Sequence, residues 1–304
     1  MPNILITGGS GLIGQFLTNS NSLKNYKCRI LSRSERSNEA NLEYFQWDLE
    51  EGTIDPKALI GVDHILCLAG AGIADKRWTE SRKKELIDSR VEGNELLYKE
   101  LKKHNVRPKS IVCASAIGYY GDRGEQKLTE ESKPGQDGFL EEVTILWEES
   151  MENLRSLTDH FAKIRIGIVL STKGGALEKM LLPLRFGISG YFGNGEQYYS
   201  WIHIEDLSNL MQACLFNKDY IGTFNGVSQA IKLKEFAKAI KNTYLPVSMA
   251  MPIPAFGLKL AMGEMATMLT NSTRVIPQKA KELGFLFQHE NLEKAVEDLV
   301  KRKI

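Results

Sequence analysis

The chain has 304 residues, with 39 Lys and Arg against 38 Asp and Glu, and its net charge of +1 favours neither nucleic acid nor an anionic membrane as a partner. A composition of 42% hydrophobic and 25% charged residues is that of a globular protein with one large domain, or with one and a smaller appendage. The four cysteines (Cys28, Cys67, Cys113 and Cys214) form no CxxC or Cys/His cluster, which predicts buried reduced thiols and no metal site.

A glycine-rich segment follows the first apolar run of the chain. Residues 3–6, Asn-Ile-Leu-Ile, predict a strand, and residues 7–14, Thr-Gly-Gly-Ser-Gly-Leu-Ile-Gly, predict a tight turn that opens a helix. Gly8 allows the turn, Gly11 lets the backbone approach a phosphate, and Gly14 lets the helix pack against the strand. Because a helix N-terminus attracts phosphate charge, this segment predicts a site for the pyrophosphate of a dinucleotide.

The end of the second predicted strand indicates which dinucleotide binds. An NAD site places Asp or Glu about 20 residues beyond the glycines, where the carboxylate holds the ribose 2′-hydroxyl. The sequence has Ser32, Arg33 and Ser34 there instead. Hydroxyl groups and a guanidinium suit a 2′-phosphate, although Arg33 can also be a solvated loop residue. The segment therefore favours NADP(H) over NAD(H).

Strand and helix signals alternate over the first two-thirds of the chain. Short apolar runs predict strands at Ile4–Ile6, Cys28–Leu31, His64–Leu68, Ser110–Ala114 and Ile164–Leu170. Amphipathic stretches predict helices at Ile13–Leu23, Glu80–Lys103 and Leu140–Leu157. Because this alternation is typical of βαβ units, we expect an α/β fold of the Rossmann type, with a doubly wound parallel sheet.

The pattern changes after residue 170. We expect residues 1–170 to form the NADP-binding domain, with strand and helix returns around 200–228. Residues 171–304 should form a smaller, mostly helical C-terminal substrate lobe, with about two short strands, that closes the crevice at the carboxyl ends of the main strands. Within the lobe we expect a helix opened by Gly174–Gly175, a glycine-rich loop at Gly187–Gly195, and helices at Asp206–Asn217, Lys232–Lys241 and Leu292–Lys301.

The most hydrophobic stretch of the chain, Leu245–Leu269, does not predict a transmembrane helix. The charged residues Lys259 and Glu264 interrupt it, and amphipathic core helices account for it better. The N-terminus lacks the basic segment of a signal peptide. We therefore expect a cytoplasmic protein without membrane contact.

Several motifs resemble those of a known family. The segment TGGSGLIG at 7–14, Leu68-Ala69-Gly70, and ASAIGYYG at 114–121 resemble the extended short-chain dehydrogenase/reductases. More narrowly, short segments along the whole chain look like the atypical, sugar-nucleotide-epimerase-like subgroup labelled YfcH-like. These segments are KRWT at 76–79, SR at 89–90, GGAL at 174–177, SWIHI at 200–204, GE at 263–264 and GF at 284–285.

This resemblance implies a Rossmann-type domain that binds NADP(H) across its sheet. It implies pyrophosphate contacts from the glycine-rich segment, a ribose phosphate held by Ser32 and Arg33, and a position near the nicotinamide for Val169. The residues that the resemblance assigns to the cofactor are Gly8, Ser10, Gly11, Leu12, Ile13, Gly14, Ser32, Arg33, Leu68, Ala69, Gly70, Glu85, Arg90 and Val169.

The chain departs from that superfamily at the catalytic positions. The usual set is a serine that polarises the substrate oxygen and a Tyr-x-x-x-Lys pair that moves the proton. Here Ala116 falls at the serine position, and the helix that should carry the pair has Leu140 and Thr144 at those places. Shifting the register by one gives Phe139 and Val143, so no register restores the pair.

Few residues can replace the missing pair. Tyr119, Tyr120 and Ser115 follow the predicted strand Ser110–Ala114 and are the catalytic candidates, although aromatic packing over the cofactor accounts for both tyrosines better. For the substrate pocket the candidates are Arg77 and Trp78, on a loop with Lys76, and Ser200, Trp201 and His203. His203 fits a core histidine bonded to a backbone carbonyl better than a proton carrier.

Two functions remain open at this stage. The first is an NADP(H)-dependent epimerase-family or oxidoreductase-like enzyme acting on a small polar carbonyl or hydroxyl compound, or on a nucleotide sugar. The second is a non-catalytic protein that binds NADP(H) and senses its redox state, for which unequal affinity for NADP⁺ and NADPH is required. The chain should be a monomer or a homodimer.

Overall fold

A computed structural model describes residues 1–19, 23–34, 36–39, 41–184, 186–247, 249–253, 255–302 and 304. The strands are β1 (Asn3–Thr7), β2 (Lys27–Ser32), β3 (Leu42–Asp48), β4 (Thr53–Ile54), β5 (His64–Cys67), β6 (Ser110–Ala116), β7 (Lys127–Leu128), β8 (Phe161–Ile166), β9 (Ile168–Leu170), β10 (Ile188–Phe192), β11 (Tyr198–His203), β12 (Gly222–Gly226), β13 (Gln229–Lys232), β14 (Met249–Ile253) and β15 (Arg274–Val275).

The helices follow the amphipathic stretches closely. They are α1 (Leu12–Asn19), α2 (Glu80–Lys103), α3 (Phe139–Arg155), α4 (Gly175–Leu184), α5 (Ile204–Phe216), α6 (Leu233–Tyr244), α7 (Ala255–Met262), α8 (Thr267–Thr270), α9 (Gln278–Glu282) and α10 (Leu292–Arg302). Short 3-10 helices lie at Pro56–Leu59, Ile117–Tyr120 and Gly263–Ala266. The first helix was predicted to reach Leu23, and residues 20–22 of that prediction lie outside the described residues.

The main sheet positions the candidate site. Within the described residues its eight strands run in the order β12-β8-β6-β5-β1-β2-β3-β4, and all neighbours are parallel except β3 and β4. The chain leaves β1 toward β2 on one side and returns through β5 on the other. Because ligands bind outside the carboxyl ends of the strands where the order reverses, this topology places the crevice above β1 and β5.

Helices cover both faces of the main sheet, as a parallel sheet requires. On one face, α2 and α3 pack on the strands through Leu97, Leu101 and Met151. On the other face, α1 and α5 contribute Leu17 and Leu210 to a second core. The Rossmann-type α/β fold predicted from the sequence is confirmed. All four cysteines are buried and free, in agreement with the prediction of reduced thiols.

The second half of the chain contains more strands than expected. Among the described residues, six strands follow residue 171 rather than about two, and β12 belongs to the main sheet. The predicted glycine-rich loop Gly187–Gly195 is wrong over Ile188–Phe192, because these residues form β10 and pair with β14 in parallel. Turns remain at both ends of the predicted loop, where Gly187, Gly193 and Gly195 have positive φ angles of 78°, 61° and 70°.

The hydrophobic stretch Leu245–Leu269 is also not a set of buried core helices. It contains β14, α7, the 3-10 helix Gly263–Ala266 and α8, and residues 248 and 254 lie outside the described residues. On α7, Phe256 and Leu260 are 78% and 80% exposed, which contradicts a core position. Among the residues that the structure describes, no helix combines the length and the apolar character needed to cross a membrane. The division of the chain at residue 170 stays a prediction.

Candidate functional site

In the glycine-rich turn between β1 and α1, backbone atoms crowd the positions of Gly8 and Gly14 but leave space beside Gly11. A Cβ at Gly8, whose φ is 69°, would lie 2.6 Å from the backbone carbon of Leu68, and a Cβ at Gly14 would lie 2.6 Å from the Gly9 Cα. At Gly11 a Cβ would meet only the Gly8 carbonyl oxygen, at 3.3 Å. Glycines 8 and 14 are therefore required by the protein itself, whereas the open side of Gly11 leaves room for a phosphate.

The backbone of the adjacent strand end is fixed next to this turn. The Thr7 hydroxyl oxygen accepts hydrogen bonds from the N–H groups of Leu68, at 3.1 Å, and Ala69, at 3.2 Å. Ser10 is exposed, and Leu12 and Ile13 are half-buried at the start of α1. The Leu12 side chain lies against Gly174 and Gly175 at the start of α4. Val169 is half-buried in β9, and a Cβ at Gly175 would lie 3.4 Å from its carbonyl oxygen.

The predicted ribose phosphate site lies at the end of β2. The Ser32 hydroxyl donates to the Ser34 carbonyl at 2.8 Å and accepts from the Ser34 N–H, forming a tight turn that exposes Arg33. A hydrogen bond from Arg82 holds the pKa of the exposed Glu85 carboxyl below its ordinary value, and Lys76 and Arg33 act in the same direction. The structure therefore brings the Arg33 and Glu85 positions into one electrostatic environment.

Arg90 on α2 lies against the loop after β5. The Arg90 guanidinium donates to the carbonyls of Leu86, at 2.7 Å, and Ala71, at 3.0 Å, and lies 4.9 Å from the Trp147 ring centroid. Burial lowers the pKa of Arg90 to about 10. A Cβ at Gly70 would come within 3.1 Å of this guanidinium, so a larger residue there would require Arg90 to shift. Arg90 thus shapes the loop, and its predicted contact with the cofactor stays a prediction.

The positions of the missing Tyr-x-x-x-Lys pair lie at the carboxyl end of β6. A Cβ at Gly118 would lie 3.2 Å from the Thr144 hydroxyl oxygen and 3.3 Å from the Leu140 Cβ. The Thr144 hydroxyl donates to the Leu140 carbonyl at 2.6 Å, inside its own helix. Leu140 and Thr144 therefore occupy the expected place beside the crevice, but neither offers a free acidic proton there.

Ser115 is buried, and its hydroxyl belongs to a network of buried charged side chains. Its Oγ donates to Glu148 at 2.7 Å, and Arg165 forms a two-pronged ion pair with the same carboxylate at 2.8 and 2.9 Å. Lys163 contributes a further contact to Glu148, at 2.8 Å. Burial acts to raise the pKa of the Glu148 carboxyl, but the hydrogen bonds and charges of Arg165 and Lys163 lower it overall.

The two tyrosines occupy different environments. Tyr120 is fully buried, its hydroxyl donates to Asn225 at 2.7 Å and accepts from Arg165 at 3.0 Å, and burial raises its pKa to about 12. Tyr119 is half-buried, and the Arg165 guanidinium carbon lies 3.4 Å from its ring centroid. Among the described residues no hydrogen bond engages the Tyr119 hydroxyl. The geometry therefore favours Tyr119 over Tyr120 and Ser115 as a group that can reach a ligand.

The loop between β5 and α2 contributes one buried and two exposed candidates. Trp78 is buried, donates its indole N–H to the Ile73 carbonyl at 2.9 Å, and meets Phe139 edge to face at a ring distance of 4.9 Å. Lys76 and Arg77 are exposed, and the Arg77 guanidinium lies across Gly263. The loop, α3 and the 3-10 helix after α7 therefore meet at the crevice.

The remaining pocket candidates are buried away from solvent. The Ser200 hydroxyl donates to the Thr273 carbonyl at 2.7 Å and accepts from the Val275 N–H at 2.9 Å, which ties β11 to β15. Trp201 is fully buried in the core between α4, α6 and α10. These positions do not favour the predicted contact with substrate, because both side chains are enclosed by protein.

His203 is buried and forms the N-terminal cap of α5. Its Nδ1 accepts a hydrogen bond from the Glu205 N–H at 3.1 Å, and its ring stacks on His289 with centroids 3.7 Å apart. Burial and the neighbouring His289 lower the pKa of His203 to about 4. The prediction of a core histidine rather than a proton carrier therefore agrees with its position, although its partner is a backbone N–H instead of a carbonyl.

His203, Glu205 and His289 hold their possible ligand atoms within 4.8 Å of one another. Two features disfavour a metal ion there. Because Nδ1 of His203 accepts a hydrogen bond, the hydrogen of the neutral ring lies on Nε2, which then has no lone pair to offer. The Arg302 guanidinium also bonds to Glu205 at 2.6 Å, so a cation already neutralises the carboxylate.

The sequence did not single out four residues that organise the crevice. Thr7 and Ser89 fix the loop after β5 through its N–H groups, Arg82 donates to the Gly72 carbonyl at 2.6 Å, and Arg165 anchors the charge network. Arg165 could have been found from the sequence, because a charged residue inside the apolar strand Phe161–Ile166 requires a buried partner of opposite charge. Thr7 and Ser89 stand within the motifs quoted for the family resemblance, but their hydrogen bonds to the loop after β5, like that of Arg82, form only in the folded chain.

The sequence is also similar to known protein families and to individual relatives. The model of the NAD dependent epimerase/dehydratase family matches residues 4–138, and that of a domain of unknown function, DUF1731, matches residues 253–299. The epimerase family protein YfhF of Bacillus subtilis is 34% identical over 301 residues, which cover 98% of each protein.

Two solved structures have similar folds. The human epimerase family protein SDR39U1, crystallised with NADPH, has a TM-score of 0.88 and 28% identity, covering 98% of this chain and 99% of that one. A nucleoside-diphosphate sugar epimerase of Corynebacterium glutamicum has a TM-score of 0.77 and 28% identity, covering 98% of this chain and 58% of that one. Together with the full-length similarity to the Bacillus protein, these likenesses show that the chain belongs to the NAD-dependent epimerase/dehydratase family.

Proposed function

We propose that this chain binds NADP(H) at the carboxyl ends of β1, β5 and β2 and transfers hydride between the cofactor and a carbonyl or hydroxyl compound. The observation that carries the proposal is the geometry of the glycine-rich turn. Backbone atoms leave no space for a side chain at Gly8 and Gly14, but there is space for a phosphate beside Gly11. The human relative SDR39U1, whose crystals contained NADPH, supports the choice of cofactor.

The residues at this edge fit the chemistry of a phosphorylated dinucleotide. The helix α1 begins at Leu12, directly after the turn, and the N–H groups of a helix N-terminus suit a pyrophosphate. Arg33, exposed by the Ser32 turn, suits a 2′-phosphate, and Ser32, Arg33 and Ser34 occupy the positions where an NAD site has its carboxylate. When bound, the nicotinamide supplies or accepts a hydride. Tyr119 is the residue placed to meet the substrate oxygen, and Arg165 fixes its ring.

Calorimetric titration with NADP⁺, NADPH, NAD⁺ and NADH tests the cofactor. We expect tight binding of both NADP forms and weak binding of both NAD forms. Arg33→Asp should reverse the preference, because a carboxylate repels the 2′-phosphate and can bond to a ribose hydroxyl. Preference for NADP(H) that survives this substitution would contradict the assignment of Arg33, and binding of none of the four compounds would contradict the proposal.

A second function, sensing of the NADP(H) redox state without turnover, is favoured by one observation. The Leu140 and Thr144 positions have no free proton donor, and the hydroxyls of Ser115 and Tyr120 are engaged in buried bonds. A sensor must bind NADP⁺ and NADPH with different affinities, since a ligand with equal affinity for two states shifts neither. A ratio near one in the same titrations would contradict sensing, and a substrate that consumes NADPH would establish the enzyme.

A further inference from the structure

Half-buried apolar side chains from three separate segments pack together in one hydrophobic cluster. Ile73 belongs to the loop after β5, Leu140 to the start of α3, and Met265 and Met268 to the segment after α7. We call these four residues the apolar wall. Trp78, Leu86, Phe139 and Val143 are buried behind it and form its base.

The location of the apolar wall follows from the sheet topology. The loop with Ile73 leaves the carboxyl end of β5, and Leu140 contacts the Gly118 position directly after β6. Because β5 and β6 are adjacent parallel strands, both segments lie above the same edge of the sheet as the glycine-rich turn. The apolar wall therefore borders the crevice, and its Leu140 stands at the position that the family pattern gives to the catalytic tyrosine.

The segment with the two methionines is held against the rest of the wall by an ion pair. Lys83 on α2 bonds to Glu264 at 2.5 Å, and its ammonium lies 5.3 Å from the Phe139 ring centroid. The indole N–H of Trp78 is satisfied by the Ile73 carbonyl, so the base of the wall leaves no polar group unpaired. A buried, closely packed apolar base under adaptable thioether side chains suits a ligand that is apolar and planar.

The apolar wall does not suit a sugar ring. A bound hexose buries several hydroxyl groups, each of which requires a hydrogen-bond partner in the pocket. None of the four wall side chains can donate or accept a conventional hydrogen bond, and the nearby Thr144 hydroxyl is engaged by the Leu140 carbonyl. The exposed Lys76 and Arg77 lie on the same loop and can attract an anionic group, but they supply no acceptor for a sugar hydroxyl.

We propose that the apolar wall binds an aromatic ring attached to the reacting carbonyl or hydroxyl group, so that the substrate class is aryl ketones, aryl aldehydes and the corresponding alcohols. The inference rests on the proposed function, because that function places the crevice beside the nicotinamide. It differs from the small polar compound or nucleotide sugar that the sequence favoured.

The first test measures binding of two probes, 2-acetylnaphthalene and UDP-glucose, to the full chain with and without NADP⁺. Saturation-transfer NMR is suitable because it does not require turnover. We expect the naphthyl ketone to bind and UDP-glucose neither to bind nor to displace it. Binding of UDP-glucose in preference to the ketone, or binding of neither probe, would overturn the proposal.

The second test uses substitutions in the apolar wall. Leu140→Asn and Met268→Gln keep side-chain size but add amide groups, and each should weaken binding of 2-acetylnaphthalene by about tenfold or more. Leu286→Asn is the matched control, because Leu286 is 84% exposed and lies outside the wall. Unchanged ketone affinity in both wall variants would overturn the proposal. Should Leu140→Asn unfold the protein, the half-buried Met268 provides the decisive variant.

The two proposals fail in distinguishable ways. If the chain binds no dinucleotide, the proposed function is wrong, and titration of the protein alone with 2-acetylnaphthalene still measures the apolar wall. If the chain binds NADP(H) but the ketone does not bind, the cofactor site stands and the substrate class is wrong. Equal NADP⁺ affinity in the wall variants and the original chain ensures that a loss of ketone binding reports on the wall.

Discussion

Single residues in the glycine-rich turn have separable roles. Gly14→Ala should lower the free energy of unfolding by about 1–3 kcal/mol, because the new methyl group would lie 2.6 Å from the Gly9 Cα. Gly11→Ala should leave stability nearly unchanged and weaken NADP(H) binding, since its methyl group would project into the open side of the turn. Urea denaturation and calorimetry of both variants measure the two effects. Equal effects of both substitutions on stability would contradict this division of roles.

The buried His203 makes stability depend on pH. Its folded-state pKa of about 4 lies below the ordinary value of 6.5, so the unfolded chain binds the proton more readily. The His203 contribution is therefore complete above about pH 6.5 and is lost as the pH falls toward 4. The full contribution of His203 to the free energy of unfolding is about 3 kcal/mol, because a pKa difference of one corresponds to about 1.4 kcal/mol.

The variant His203→Asn tests this pH dependence. Asparagine keeps an oxygen that can cap α5 but has no group that titrates in this range. Denaturation in urea, repeated between about pH 6.5 and about pH 4, should show a smaller loss of stability in the variant than in the original chain. The same slope in both proteins would mean that other groups cause the acid sensitivity.

At the scale of elements, the buried charge network joins β6, α3 and β8. Glu148→Gln should lower the free energy of unfolding by about 3–5 kcal/mol, because Arg165 would keep its buried charge without a carboxylate partner. The neighbouring Glu149 is exposed, and Glu149→Gln should change stability by less than about 0.5 kcal/mol. Urea denaturation of both variants compares a buried with an exposed carboxylate at adjacent positions. A cost of Glu148→Gln as small as the control would show that the network adds no stability.

The elements differ in how well the sequence predicted them. The helix predicted at Glu80–Lys103 has those bounds in the structure, because its Thr79 cap and its apolar spacing are local signals. The strand Ile188–Phe192 was not predicted, since it forms only by pairing with Met249–Ile253, far along the chain. The bounds of α2 could therefore be predicted from local signals, whereas β10 depends on contacts with a distant segment.

The same distinction applies to the candidate site. The glycine-rich turn could be predicted because its three glycines, the strand and the helix are contiguous. The engagement of Ser115 by Glu148 could not, because the two residues are 33 positions apart and meet only when α3 packs on β6. The enclosure of Ser200 by the Thr273–Val275 backbone has the same cause. Local motifs predicted where a cofactor binds, and tertiary contacts decide which side chains remain free to act.

For the whole molecule, the main core contains residues from both sides of position 170. Leu207, Leu210 and Phe224 pack with Ile4 and Leu17 in one cluster, and β12 forms the edge of the main sheet. We expect a fragment of residues 1–170 not to fold alone, because it lacks α5 and the strand beside β8. Circular dichroism during urea unfolding should show a cooperative transition for the full chain and none for the fragment. A cooperative transition of the fragment would establish an independent domain ending at 170.

The position of Asn225 in β12 has a consequence for how the protein folds during its synthesis. Glu148 and its partner Arg165 are 17 residues apart in the sequence, whereas Tyr120 and its partner Asn225 are 105 residues apart. The ribosome therefore makes Asn225, and with it β12, long after Tyr120. At roughly 5–20 residues per second on the ribosome, the nascent chain exposes the unpaired edge of β8 for several seconds. A chaperone that covers open strand edges therefore has its best opportunity between synthesis of Ile166 and synthesis of β12.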